Sequence, residues 1–243
     1  DDHFSLDPAT ADHIFALGYK RYPVIVQQGE RLHLKIFEWG VIAEYMNSPE
    51  KIRDLRKTMV NARSEKILDD KRSFWHRIRR ERCLVPVTGI YEHREVKGWK
   101  NKIPYHIRLS GRPVFFLPAL YHYNQSLPSD PETGEVRGMF SLVTRPANEL
   151  MNMIHNSGPN AGRMPLFLPP QLERQWLDPA LSDTGLADLL RYEIPSTVLE
   201  AYPVYSIRGR SPRPDGKRKN EPFPYAGLPA PGTEGESGQA SLF

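Results

Sequence analysis

Apolar and polar residues alternate with period two over residues 31–37 (Arg31-Leu32-His33-Leu34-Lys35-Ile36-Phe37). That is the pattern of a half-buried strand, and it runs on into Glu38-Trp39-Gly40-Val41-Ile42. Residues 22–26 make a shorter strand before it. Residues 82–93 read as two short apolar strands broken at Thr88-Gly89. Residues 103–109 and 114–121 predict a hairpin through Ser110-Gly111-Arg112-Pro113. Residues 140–144 and 163–168 are extended. Helical spacing covers residues 7–18, 72–81 and 148–155, and Pro170 opens a helix that ends near Trp176-Leu177. Ser48-Pro49-Glu50 marks a further helix start, and residues 122–137 form a polar loop. From about Ser206 the chain turns basic and then rich in Gly, Pro and Ser, which predicts a partly disordered tail over residues 207–243. The pattern as a whole predicts one α+β domain over residues 1–206, built mostly of antiparallel sheets with flanking helices.

Composition narrows the class. The chain has 243 residues, 39% hydrophobic and 26% charged, enough to bury a core. No apolar run approaches the roughly 18 residues of a membrane span, and the N-terminal stretch lacks the basic-then-apolar pattern of a signal peptide. The single cysteine cannot form an internal disulfide, and no Cys/His spacing resembles a zinc site. The expectation is a cytoplasmic monomer with no metal and no cofactor. A net charge of +4 permits a nucleic-acid partner without requiring one. The charge is uneven: between Lys51 and Arg82 twelve Lys/Arg face five acids, and residues 208–219 form a second basic run. These runs read either as solvated surface or as a track for a polyanion.

A few residues could carry chemistry. Glu92 directly follows Ile90-Tyr91 at a strand end. A carboxylate there is either paired with an arginine or tuned by partial burial for acid–base work. His155 closes a helix, where it either caps the last carbonyls or shuttles protons near neutral pH. Asn61 sits in a polar turn, and its amide can serve the turn or fix a substrate oxygen. Cys83, between Arg82 and Leu84-Val85-Pro86, reads as an inert buried thiol. Arg63, Arg82 and Arg163 border these segments as candidate phosphate contacts, and Trp39 offers a stacking face.

Three segments together resemble one family. Asn61-Ala62-Arg63-Ser64-Glu65, then Arg82-Cys83-Leu84-Val85-Pro86 through Gly89-Ile90-Tyr91-Glu92, then Ile154-His155 followed by Arg163-Met164-Pro165, are similar to the SRAP domain (SOS response-associated peptidase family), in the right order over residues 1–206. The resemblance implies β-barrel character. It also implies recognition of abasic sites in single-stranded DNA, as part of the DNA damage response and nucleoid-associated in a bacterium. The covalent link would run from the N-terminus to the ring-opened sugar aldehyde, a crosslinking and lyase-like activity beside the autopeptidase activity carried by the family name. By the same resemblance Glu92 and His155 transfer protons, Asn61 positions the adduct, Arg63, Arg82 and Arg163 hold phosphates, and Trp39 stacks on a base.

Two departures follow. Phe4-Ser5-Leu6 fits the family's opening step, which places Asp1 where the nucleophilic cysteine is expected. A terminal aspartate keeps an amine able to form an imine, but only a 1,2-aminothiol closes a thiazolidine. Residues 156–162 must also bulge out for Arg163 to keep its place. Two rival functions belong to other classes. One is a non-catalytic single-strand DNA-binding module. The other is a cysteine-type peptidase using Cys83 and His155.

Overall fold

The computed structural model describes residues 13–130, 134–207 and 213–233. Ten strands are present among them: β1 (Arg21–Gln28), β2 (Arg31–Trp39), β3 (Asn61–Arg63), β4 (Arg82–Val87), β5 (Ile90–Arg94), β6 (Ile103–Leu109), β7 (Phe115–Tyr123), β8 (Gly138–Pro146), β9 (Arg163–Pro165) and β10 (Leu199–Pro203). Six short helices accompany them: α1 (Pro49–Leu55), α2 (Ser64–Leu68), α3 (Phe74–Arg77), α4 (Glu149–Ile154), α5 (Pro170–Leu177) and α6 (Asp183–Arg191). The α+β class is as the pattern predicts.

The larger sheet runs β2-β1-β4-β7-β8-β3, with β9 on the other edge of β8. A two-residue parallel contact, Glu38 with Met139 and Trp39 with Phe140, joins β2 back to β8 and closes a loose five-stranded barrel. The smaller sheet runs β10-β6-β5. Alternation along the strands divides the core in two. Val24, Val26, Cys83, Val85 and Leu117 face the smaller sheet and α4. Leu84, Leu120, Met139 and Val143 face α2, α5 and α6. Central strands covered on both faces read as unbroken apolar runs, which is how Arg82–Val87 reads.

Three expectations need correction. The hairpin over residues 103–121 does not form: β6 pairs with β5 and β10, while β7 pairs with β4 and β8. The connecting residues instead carry the chain from one sheet to the other. Arg112 pins that crossing by donating to both carboxylate oxygens of Glu173 on α5, at 2.8 and 3.0 Å. The helix over residues 72–81 shrinks to the single turn of α3, capped by the Ser73 hydroxyl. The chain then turns so that Arg79 and Arg80 reach Asp183 and Arg82 can open β4. The stretch read as a loose tail is docked over residues 213–233: Tyr225 and Leu228 pack on the core, and Arg213 is 7% exposed and bonded to Asp215. Of the helix over residues 7–18, residues 7–12 lie outside the described residues, and Ala16–Gly18 is one turn of 3-10 helix. α6 and β10 go beyond the elements the pattern predicts.

Candidate active site

The break at Thr88-Gly89 separates the two sheets, since β4 belongs to the larger and β5 to the smaller. A cavity of about 710 Å³ opens at this corner. Gly89 is required there: a Cβ would lie 2.2 Å from His106 Nε2. Glu92, two residues into β5, reaches the cavity from one side.

The opposite wall comes from β3 and from the end of α4. In β3 the pattern is exposed–buried–exposed, so Ala62 enters the core while Asn61 and Arg63 both face the cavity. α4 starts on the Asn148 side chain, which accepts from the Met151 N–H, and ends at His155. The loop 156–162 does bulge: the Gly162 N–H returns to the His155 carbonyl at 2.9 Å, with Gly158 and Gly162 both at positive φ. Arg163 thus sits beside His155 despite the intervening residues.

Glu92 and His155 face each other, Oε2 to Nε2 at 3.8 Å, with side chains 25% and 16% exposed. The distance is just beyond a hydrogen bond. Burial pushes the Glu92 carboxyl above the ordinary carboxylate range, against the opposing pull of His155. His155 Nδ1 lies 2.8 Å from the Arg163 carbonyl, which can only accept, so Nδ1 carries a proton. In the neutral imidazole the Nε2 lone pair then faces Glu92. One proton can therefore rest on either partner, the arrangement an acid–base pair needs. Asn156 ties the two sides together: its amide accepts from the Glu95 N–H and donates to the Glu95 carbonyl, each at 2.9 Å.

The expected cations divide. Arg163 lines the cavity, but its guanidinium is bonded to both oxygens of Glu65 and to the Thr144 carbonyl. Burial, the largest single influence, raises the Glu65 carboxyl, but the hydrogen bonds from Arg163, its own backbone and Ser64, together with the Arg163 charge, hold it low. Arg82 is not at the cavity. It is 6% exposed and donates to the carbonyls of Trp176 and Asp178, at 2.7 and 2.6 Å. It thus satisfies the end of α5, whose last carbonyls have no partners within the helix. Arg63 is exposed and bonded only to Asn160 Oδ1, at 3.1 Å, among the described residues. Trp39 lines the cavity half-buried, its N–H on the Val60 carbonyl and its ring stacked on Phe140. Asp1 lies outside the described residues; the described chain begins on the cavity wall, with residues 13–16.

Cys83 is fully buried, and burial pushes its thiol far up. It does not line the cavity, and a thiol kept from ionising is no nucleophile. The peptidase reading through Cys83 and His155 therefore fails.

Sequence reasoning missed Lys57, an exposed cation on the cavity wall, although it belongs to the basic run over residues 51–82. It also missed Phe15, 52% exposed on the same wall. His106 was missed too. Its Nδ1 bonds Tyr202 Oη at 3.0 Å, and Tyr202 in turn donates to the Asn220 carbonyl. Burial, helped by Arg108, pushes the imidazole down to about 4, so it is neutral at working pH. No local signal marks these three; their roles depend on which strands meet. Among the described residues no cluster of His, Cys, Asp or Glu could hold a metal, and no helix is long and apolar enough to cross a membrane.

Residues 11–208 match the family described as SOS response associated peptidase (SRAP). The abasic site processing protein YoqW of Bacillus subtilis is 31% identical over 183 residues, covering 75% of this chain and 74% of that protein. The abasic site processing protein YobE of the same organism is 30% identical, over 75% of this chain and 76% of its own length. A crystal structure of a Bacteroides thetaiotaomicron protein superposes with a TM-score of 0.67 at 33% identity, covering 86% of this chain and 82% of that one. A Bordetella bronchiseptica protein shares the fold at 20% identity and a TM-score of 0.61, over 77% of this chain and 85% of its own.

Proposed function

Because the chain belongs to the SRAP family, we propose that it acts on abasic sites in single-stranded DNA, binding the ring-opened sugar in the cavity between the two sheets. The observation that carries this reading is the Glu92–His155 pair, facing across 3.8 Å in a cavity that also presents Asn61, Arg63 and Lys57. An abasic sugar exposes an aldehyde when its ring opens, and the residues present fit each proton movement of its capture by an amine. The amine nitrogen forms a bond to C1′, and the carbonyl π electrons move to oxygen, which takes a proton from the pair. The resulting hydroxyl leaves as water with a second proton, and the nitrogen gives both of its own protons to the pair, one as the carbinolamine forms and one as the iminium becomes the imine, so the pair ends as it began. The amine is the N-terminal one: a terminal residue without a thiol stops at the imine, whereas a terminal cysteine closes a thiazolidine. Asn61 is placed to hold the sugar oxygen. Lys57 and Arg63, which have no carboxylate partner among the described residues, take the phosphates. Phe15 offers the exposed stacking face at the rim.

The test is incubation with abasic and intact single-stranded oligonucleotides under borohydride, followed by a denaturing gel. A shifted band with the abasic strand alone supports the reading. Equal affinity for both strands and no adduct with either overturns it in favour of a non-covalent DNA-binding module. A protein whose mature N-terminal residue is cysteine is expected to give an adduct that survives without borohydride.

A further inference from the structure

The family match ends at residue 208, yet residues 213–233 press on both elements that carry the acid–base pair. On one side is Arg94. It lies two residues beyond Glu92 on β5 and so faces the same way. It is fully buried, and its guanidinium donates to Tyr105 Oη and to the carbonyls of Pro229 and Ala230, each at 2.8 Å. On the other side is Met153, two residues before His155. Gly232, at φ +87°, approaches it so closely that a Cβ would stand 2.9 Å from Met153 Sδ.

The segment between is anchored along its length. Arg213 donates to the Glu221 and Pro222 carbonyls, at 2.6 and 2.5 Å. Tyr225 donates to the Val204 carbonyl and packs edge-on against Trp99. Among the described residues β5 is the edge strand of its sheet, paired with β6 alone. Its position relative to α4 is set by direct packing between the two and by what else crosses between them. Asn156 makes one crossing, and residues 229–232 make the second.

We propose that residues 213–233 form a strap that holds Glu92 and His155 at their working separation, with Arg94 as the positioning residue on the β5 side and the Gly232–Met153 contact on the α4 side. This rests on reading the pair as the acid–base machinery of the cavity. The strap's carbonyls are strong acceptors aimed at a buried cation, a contact that fixes direction as well as distance. Shifting either end by a few tenths of an ångström alters the desolvation of Glu92 and the proton path to His155.

The experiment uses the full chain with Arg94→Lys, which keeps the charge and loses the fork, and separately Gly232→Val, which pushes Met153. Three quantities are read: borohydride-trapped adduct formation against pH, affinity for an oligonucleotide with a tetrahydrofuran abasic analogue, and the Glu92 carboxyl titration by carbon-13 NMR. In variants that remain folded, we expect at least tenfold slower adduct formation, affinity within twofold of the parent, and a Glu92 midpoint moved toward the ordinary carboxylate range. A parent-like rate with a parent-like midpoint overturns the strap. Rate and affinity falling together also overturn it, because that is general loosening. If the unmodified chain treats abasic and intact strands alike, the reading of the cavity fails, while the Glu92 midpoint in the variants still decides the strap.

Discussion

Arg82 and Glu92 lie on consecutive strands, yet one sits in a region where charge is fully satisfied and the other where it is not. On the α5 side, Arg82 closes the helix end and Arg112 is matched to Glu173 through two oxygens. On the cavity side, Glu92 stops at 3.8 Å from His155, and Lys57 and Arg63 have no carboxylate partner among the described residues. Charge that the fold has already neutralised serves the fold. Charge buried or clustered without full compensation is held ready for something from outside. Arg163 stands on the border, lining the cavity while bonded to Glu65.

The comparison can be broken by mutation. The largest effect is expected from Glu92→Gln, which removes the transferable proton and should slow adduct formation by about 100-fold; a gel time course with an abasic oligonucleotide reads it, and an unchanged rate would remove Glu92 from the chemistry. Next comes Arg82→Ala, expected to cost about 2 kcal/mol in urea unfolding by stranding the α5 carbonyls, with no change in the salt dependence of DNA binding. A flatter salt slope would return Arg82 to the phosphate track. The double variant Lys57→Ala/Arg63→Ala should do the reverse. Its stability should stay within about 0.5 kcal/mol, and the slope of log affinity against log salt should fall by roughly 0.7 per cation for a single strand.

The smallest effect concerns pH. Glu92 titrates higher folded than unfolded. Between those two values the native state holds the extra proton, so stability is full below the unfolded value of about 4.3 and declines as pH rises through the folded one. Thermal melts across that window should show the decline in the parent and lose it in Glu92→Gln, which should gain roughly 1 kcal/mol at neutral pH. Equal pH profiles would mean the carboxyl is not desolvated.

Local chemistry was legible where it repeats or caps. The period-two run of β2, the Ser48 cap of α1 and the break at Thr88-Gly89 are each decided by neighbouring residues. Pairing was not. Nothing within residues 103–121 says that β6 and β7 join different sheets, because their partners lie elsewhere in the chain: β5 and β10 flank β6, while β4 and β8 flank β7. Glu92 and His155 were legible as candidates through the family resemblance, and the structure brings them together with Asn61 and Arg63. Arg82 was misread because a sequence shows a cation but not its acceptor, and the same limit hid the Glu65 partner of Arg163, which does line the cavity. The docking of residues 213–233 was hidden by composition, since Pro, Gly and Lys suit a pinned irregular strap as well as a free tail.

β8 pairs with β7 and β9 on one edge and with β2 and β3 on the other. Its partners are spread from Arg31 to Pro165. No stretch much shorter than that can complete the larger sheet, so contact order is high and folding should be slow, with loop closure preceding its reward. During synthesis β1 can pair with β4 once Arg82–Val87 is made, but β2 must wait for β8 at Gly138–Pro146, carrying Leu32 and Leu34 exposed even in the finished fold, at 63% and 59%. The strand that closes the barrel therefore also sets the clock for making the protein.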